Sequence, residues 1–129
     1  MILQLITSVI LGFLIGYERE FHGKAVGIKT ISLITLGSTL FCLMSPTIFG
    51  GDNSRIIAQV VSGIGFIGAG VLIKNGDSIK GLTTAATIWG ASAIGCLIGV
   101  SMYKEALIGT CLIILINIVF NYFKNERIT

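Results

Sequence analysis

Residues 52–99 read DNSRIIAQVVSGIGFIGAGVLIKNGDSIKGLTTAATIWGASAIGCLIG, and the fold follows from how this stretch divides. Two apolar runs, Arg55 to Ile73 and Thr83 to Met102, flank a polar turn from Lys74 to Leu82 whose Asn75-Gly76-Asp77 is a strong breaker. Runs of this length with so few charges predict membrane-spanning helices. In lipid an unpaired backbone group costs several kcal/mol, so each span must satisfy its own N–H and C=O groups.

The same pattern extends outward. An apolar run from Ile2 to Tyr17 stops at Glu18-Arg19-Glu20, and a polar loop to Lys29 carries Arg19, His22, Lys24 and Lys29. The next run, Thr30 to Phe49, holds the only proline, Pro46, and a tight turn from Gly50 to Ser54 follows. Tyr103-Lys104-Glu105 separates the fourth run from a fifth, Ala106 to Phe123, and a hydrophilic stub, Lys124 to Thr129, ends the sequence. The predicted fold is all-α, a polytopic bundle of about five spans (2–17, 30–49, 55–73, 83–102 and 106–123) in one transmembrane domain over 1–129.

Composition supports this. Of 129 residues 53% are hydrophobic and 12% charged, against about 25% charged in a soluble domain. A water-soluble fold this small could not hide so much apolar surface. The net charge of +3 sits in short clusters between the runs, without the basic stripe and exposed aromatics of a nucleic-acid binder. Cys42, Cys96 and Cys111 lie in different runs without CxxC spacing and are expected to act as small buried hydrophobes. The N-terminus lacks a basic n-region and an A-x-A-like site, so it reads as a retained helix and not a signal peptide.

Lys and Arg counted in alternate loops set the expected orientation. Arg19, Lys24, Lys29, Lys74, Lys80, Lys124 and Arg127 fall on one side, Arg55 and Lys104 on the other. Seven against two predicts an outside N-terminus and a cytoplasmic C-terminus.

Several motifs admit more than one reading. Gly63, Gly65 and Gly68 spell G-x-G-x-x-G, but inside an apolar span and without the later acidic residue a dinucleotide site requires. Close helix packing is the better account; an unwound stretch lining a polar cavity is the alternative. Gly12 with Gly16, and Ala91 with Gly95 and Gly99, form small-residue ridges suited to packing within the bundle or to a homodimer face. Arg55, Gln59 and Ser62 share one face of the third helix and are expected to point inward. Asp52 is expected to cap that helix and pair with Arg55, or with Arg55 and Gln59 to form the outer lip of an ion or ligand site. Thr83 or Thr84 is expected to cap the fourth helix after Gly81. Glu18, Arg19 and Glu20 are expected to pair with Lys24 or Lys29 or to meet lipid head groups. Trp89 lies mid-span and is expected to pack inside.

No Walker A loop, HExxH or Ser/His/Asp set is present, His22 being the only histidine. No carboxylate lies deep in a run, which disfavours a self-sufficient Mg²⁺ channel. Neither catalysis, a cofactor nor a resident metal is expected.

These segments together resemble the MgtC/SapB family of bacterial inner-membrane proteins. The resemblance rests on GFLIGYERE at 12–20, AVGIKT at 25–30, DNSRIIAQVVSGIGFIGAGVLI at 52–73 and GLTTAATIWGASAIGCLIG at 81–99. Its matched motif positions are Glu18, Arg19, Gly27, Asp52, Arg55, Gln59, Gly63, Gly65, Gly68, Gly70, Gly81, Thr83, Thr84 and Trp89. It implies a multi-pass inner-membrane protein linked to magnesium limitation and virulence. It further implies contact with membrane lipids and a membrane partner, the F-type ATP synthase being one, with an older role as a magnesium transport accessory. Longer members append a soluble cytoplasmic domain, whereas this sequence stops at Thr129, so the resemblance is to a short form. Two functions follow as expectations: a non-enzymatic regulator acting by helix contacts, or a small ion transporter or channel subunit.

Overall fold

A computed structural model describes residues 1–50 and 52–126. Gly51 of the predicted turn and Arg127 of the charge count, with the two residues after it, lie outside the described residues. In chain order the elements are α1 (Ile2–Phe21), α2 (Ile28–Phe49), α3 (Ser54–Ala69), β1 (Ile73–Asn75), β2 (Ser78–Lys80), α4 (Leu82–Gly99) and α5 (Tyr103–Glu126). The predicted helix bundle is present. Helices α1, α2, α4 and α5 are long and apolar enough to cross a membrane; α3, with 16 residues, is shorter.

The third run departs from its expected bounds. The helix stops at Ala69, and Ile73 begins a strand. Gly65, Gly68 and Gly70 weaken the last turns, because glycine is the poorest helix former after proline. Val71 and Ile73 are β-branched and favour extended backbone. The strands form an antiparallel hairpin, Ile73 opposite Lys80 and Asn75 opposite Ser78. Gly76 opens its two-residue loop at φ +59°, where glycine meets no steric penalty.

The hairpin returns the chain to α4 through Gly81 at φ +90°, where an added Cβ would strike the Val71 carbonyl oxygen. Gly81→Ala is expected to cost about 1–2 kcal/mol for the left-handed backbone alone, with the collision in addition. A lower thermal midpoint in detergent, read by circular dichroism, checks this.

Helix α4 contacts every other helix, and α2 packs against both it and α1. The core is Leu11 and Ile15 of α1, Ile31 and Ile34 of α2, Ile88, Ala91, Ile94 and Ile98 of α4, and Val26, Ile64 and Ala106. The small-residue ridges make the close approaches. A Cβ on Gly16 would stand 2.5 Å from the Ile28 Cα, and one on Gly12 would be 2.8 Å from the Ser32 Cα. From the other side, a Cβ on Gly95 would lie 2.7 Å from the Ser38 Cβ, and one on Gly99 would be 3.2 Å from the Thr39 carbonyl oxygen. These ridges are therefore filled by α2 and are not free for a homodimer.

Polar ties run beside the glycines. The Thr35 hydroxyl donates to the Ser8 carbonyl at 2.9 Å, and the Thr39 hydroxyl to the Gly95 carbonyl at 2.8 Å. Gln4 Nε2 donates to the Gly99 carbonyl at 3.0 Å. Such bonds between membrane helices contribute about 0.6–2 kcal/mol each.

Three other expectations fail. Trp89 is 57% exposed, on the outer side of α4. Cys42 and Cys96 are buried as expected, but Cys111 is exposed. Gly63 and Gly65 have nothing within 4 Å of an added Cβ, so of the G-x-G-x-x-G glycines only Gly68 packs, against Ala85 at 3.7 Å. The spacing suited close approach, but α3 leans on α4 through Ile64 and Gly68 alone among its buried residues.

Candidate functional site: a buried polar cluster at one end of the bundle

Helix α1 continues past Tyr17 for another turn, which carries Glu18 and Arg19 into the bundle. Both are buried, Arg19 to 1% exposure. Arg19 Nη2 donates to the Thr84 Oγ1 at 2.8 Å, while its Nε and Nη1 are enclosed without partners. Glu18 Oε2 accepts from the Asn117 Nδ2 at 3.1 Å. Asn117 lies 3.4 Å from the Thr87 hydroxyl, which itself donates to the Thr83 carbonyl at 2.8 Å. His22 Nδ1 sits 2.8 Å from the Glu18 carbonyl oxygen and 3.0 Å from Glu18 Oε1. The second approach is within ion-pair distance but lacks hydrogen-bond alignment, so Oε1 is left unsatisfied. Thus α1, α4 and α5 meet through one acid, one guanidinium, two hydroxyls and an amide.

This corrects the expected cytoplasmic-face cluster. Glu18 and Arg19 do not pair with Lys24 or Lys29, and Lys29 is exposed on the first turn of α2. Glu20 accepts the Ile28 N–H at 3.1 Å and so occupies the start of α2. Neither Thr83 nor Thr84 caps α4, whose N-cap is Gly81; Thr84 serves Arg19 instead. Sequence reading missed Asn117, Thr87 and His22. Asn117 was the findable one, an amide flanked on both sides by apolar residues well inside the fifth run.

The second set of candidates lies at the opposite end and is not brought together. Asp52 Oδ1 accepts from the Ser54 N–H at 2.9 Å and from its hydroxyl at 2.5 Å, a local turn one residue before the N-cap of α3, which is Asn53 and not Asp52. No Asp52–Arg55 ion pair forms among the described residues. Arg55, Gln59 and Ser62 share a face, but it points outward and all three are exposed. Among the described residues no group of three or more His, Cys, Asp or Glu side chains is placed to hold a metal ion.

The Ser54 hydroxyl and N–H hold the Asp52 carboxyl below its ordinary 3.8. Because the folded value is the lower one, the contribution of this turn is complete above pH 3.8. It is lost as pH falls through the depressed value. Carboxyl-detected NMR titration should give a midpoint below 3.8 for Asp52, and Ser54→Ala should raise it.

The long apolar helices, with polar side chains gathered inside the bundle, define a multi-pass helical membrane protein. The MgtC family model matches residues 5–126, and the chain belongs to that family. It is 44% identical over 117 residues to Protein MgtC of Salmonella typhimurium, covering 91% of this chain and 51% of that protein. It is 42% identical over 111 residues to Protein MgtC of Brucella abortus, covering 85% of this chain and 47% of that protein. The chain thus spans about half the length of these relatives. No solved structure matches it.

Proposed function

We propose that this protein is a non-enzymatic regulator of the bacterial inner membrane, active under magnesium limitation, which works by docking a membrane partner on the outer face of α3. The observation that carries the reading is the composition of that face. Ala58, Ser62, Gly65 and Ala69 are small and exposed, and Arg55 and Gln59 beside them are exposed and polar. Polar groups facing hydrocarbon are costly, and small residues at near four-residue spacing let a second helix approach closely. A partner helix would satisfy both features at once.

The proposed orientation puts the Glu18–Arg19 cluster and the hairpin at the cytoplasmic face, with Lys24, Lys29, Lys74 and Lys80 supplying the positive side. The family resemblance points to the F-type ATP synthase as a partner, and links this activity to survival in hosts.

A photoreactive residue at Ser62, irradiated in native membranes, should capture one membrane polypeptide. The same residue on the lipid side of α5, at Leu112, should not. Capture from both positions alike, or from neither, would end the proposal.

A further inference from the structure

Between α2 and α3 lies a groove of about 890 Å³ that neither helix fills, toward the upper end of the ~300–1,000 Å³ found for small-ligand sites. It exists because the two helices are tied at only one end, where the Ser45 hydroxyl donates to the Asp52 carbonyl at 2.8 Å. Along its length Gly37 and Gly63 leave open space where side chains would stand. Its walls are mainly aliphatic and aromatic, with Leu33 and Phe41 on α2 facing Val60 and Ile67 on α3.

The groove is polarised. At its mouth are Lys29 and Thr30, in the first turn of α2. That turn holds no acidic residue, and among the described residues no carboxylate is within ion-pair distance of Lys29. Glu20 takes the Ile28 N–H, and the N–H groups of Lys29 and Thr30 find no backbone acceptor outside the helix. The Glu20 carboxylate thus already answers the positive end of the helix dipole, and the Lys29 ammonium is the charge among the groove's lining residues that would attract an anion. From Lys29 to Phe41 the α2 wall rises about 18 Å at ~1.5 Å per residue, close to one leaflet of a ~30 Å hydrocarbon core. Gln59 is the polar group on the α3 wall, well away from the mouth.

We infer that the groove is a site for an anionic glycerophospholipid, with one acyl chain lying between α2 and α3 and the phosphate on the Lys29 ammonium and Thr30 hydroxyl. The occupant is a lipid and not a helix for two reasons. The Ser45–Asp52 joint closes the far end, which a helix crossing the bilayer would have to pass. The single cation stands where a head group would be, at the end of an apolar slot of leaflet length. Gln59 borders both this groove and the outer face of α3, but the head-group end, at Lys29 and Thr30, lies on α2 and does not depend on the partner proposed there.

The test uses the full chain, purified and delipidated in detergent, then given equal amounts of phosphatidylglycerol and phosphatidylcholine. Native mass spectrometry reads the bound lipid. Phosphatidylglycerol should be retained over phosphatidylcholine by about fivefold, the factor one basic residue supplies near an anionic head group. Lys29→Gln should abolish the preference and Lys29→Arg should keep it. Gly37→Leu and Gly63→Leu, each projecting into open space, should lose both lipids while keeping their helical circular dichroism. Equal retention of the two lipids by the unaltered chain would overturn the inference, as would undiminished phosphatidylglycerol on either leucine variant. Should a leucine variant fail to fold, the Lys29→Gln and Lys29→Arg pair decides alone, and equal preference in those two also overturns it.

Discussion

Gly95→Leu should split α2 from α4. A Cβ at this position already lies 2.7 Å from the Ser38 Cβ and collides with the Thr35 carbonyl oxygen, so backbone must move to admit it. The Thr39 hydroxyl bond to the Gly95 carbonyl is lost with that movement. Ordinary overpacking costs about 1–3 kcal/mol, and here three further carbons follow the Cβ into a crossing where no flexible side chain can yield. The expected result is a steep fall in the folded fraction recovered from membranes, with any remaining protein melting well below the unaltered chain in detergent. Gly65→Leu is the control: nothing lies within 4 Å of its Cβ, so folding should be unchanged. Equal melting of the two variants would show that α2 does not cross α4 at Gly95 as described.

The second large effect belongs to the buried charges. Arg19→Met removes the guanidinium that bonds Thr84, and with it a positive charge beside the enclosed Glu18 carboxylate, whose remaining close cationic group is His22. Losing a buried hydrogen bond from a charged group costs about 1.5–3 kcal/mol. Glu18→Gln should cost less, since the amide oxygen still accepts from Asn117 Nδ2. The informative measurement is the double variant, because residues in one network do not act additively. Arg19→Met with Glu18→Gln should be more stable than Arg19→Met alone. A double variant whose loss equals the sum of the two single losses would mean that the two charges do not depend on each other.

Both results turn on features the sequence displays unequally. The bundle was legible because its apolar runs are long and their breaks are sharp, as at Asn75-Gly76-Asp77. Ends were less legible. Tyr17 looked like the last residue of α1 because three charged residues follow it, yet Glu18 and Arg19 stay helical and buried since Asn117 and Thr84, remote in sequence, receive them. Nothing local announces those partners. The glycines teach the same lesson. Gly12 with Gly16 and Gly63 with Gly65 read alike as packing stretches, but only the first pair meets another helix. Which ridge is filled depends on where α2 lies, and spacing within one helix does not encode that. Arg55, Gln59 and Ser62 were correctly placed on one face. The direction of that face was missed, because the rule that polar groups point inward assumes neighbours on all sides, and α3 stands at the margin.

The brevity of α3 has a further consequence. Sixteen helical residues rise about 24 Å, some 6 Å less than a typical hydrocarbon slab of ~30 Å. The surrounding lipids must thin, or the hairpin after Ala69 must sink toward the acyl region, at fractions of a kcal/mol for each ångström of shortfall. Shorter-chain lipids relieve that strain and longer-chain or sterol-stiffened ones increase it. Reconstitution into vesicles of graded acyl-chain length should therefore give the highest folded yield in the thinner bilayers.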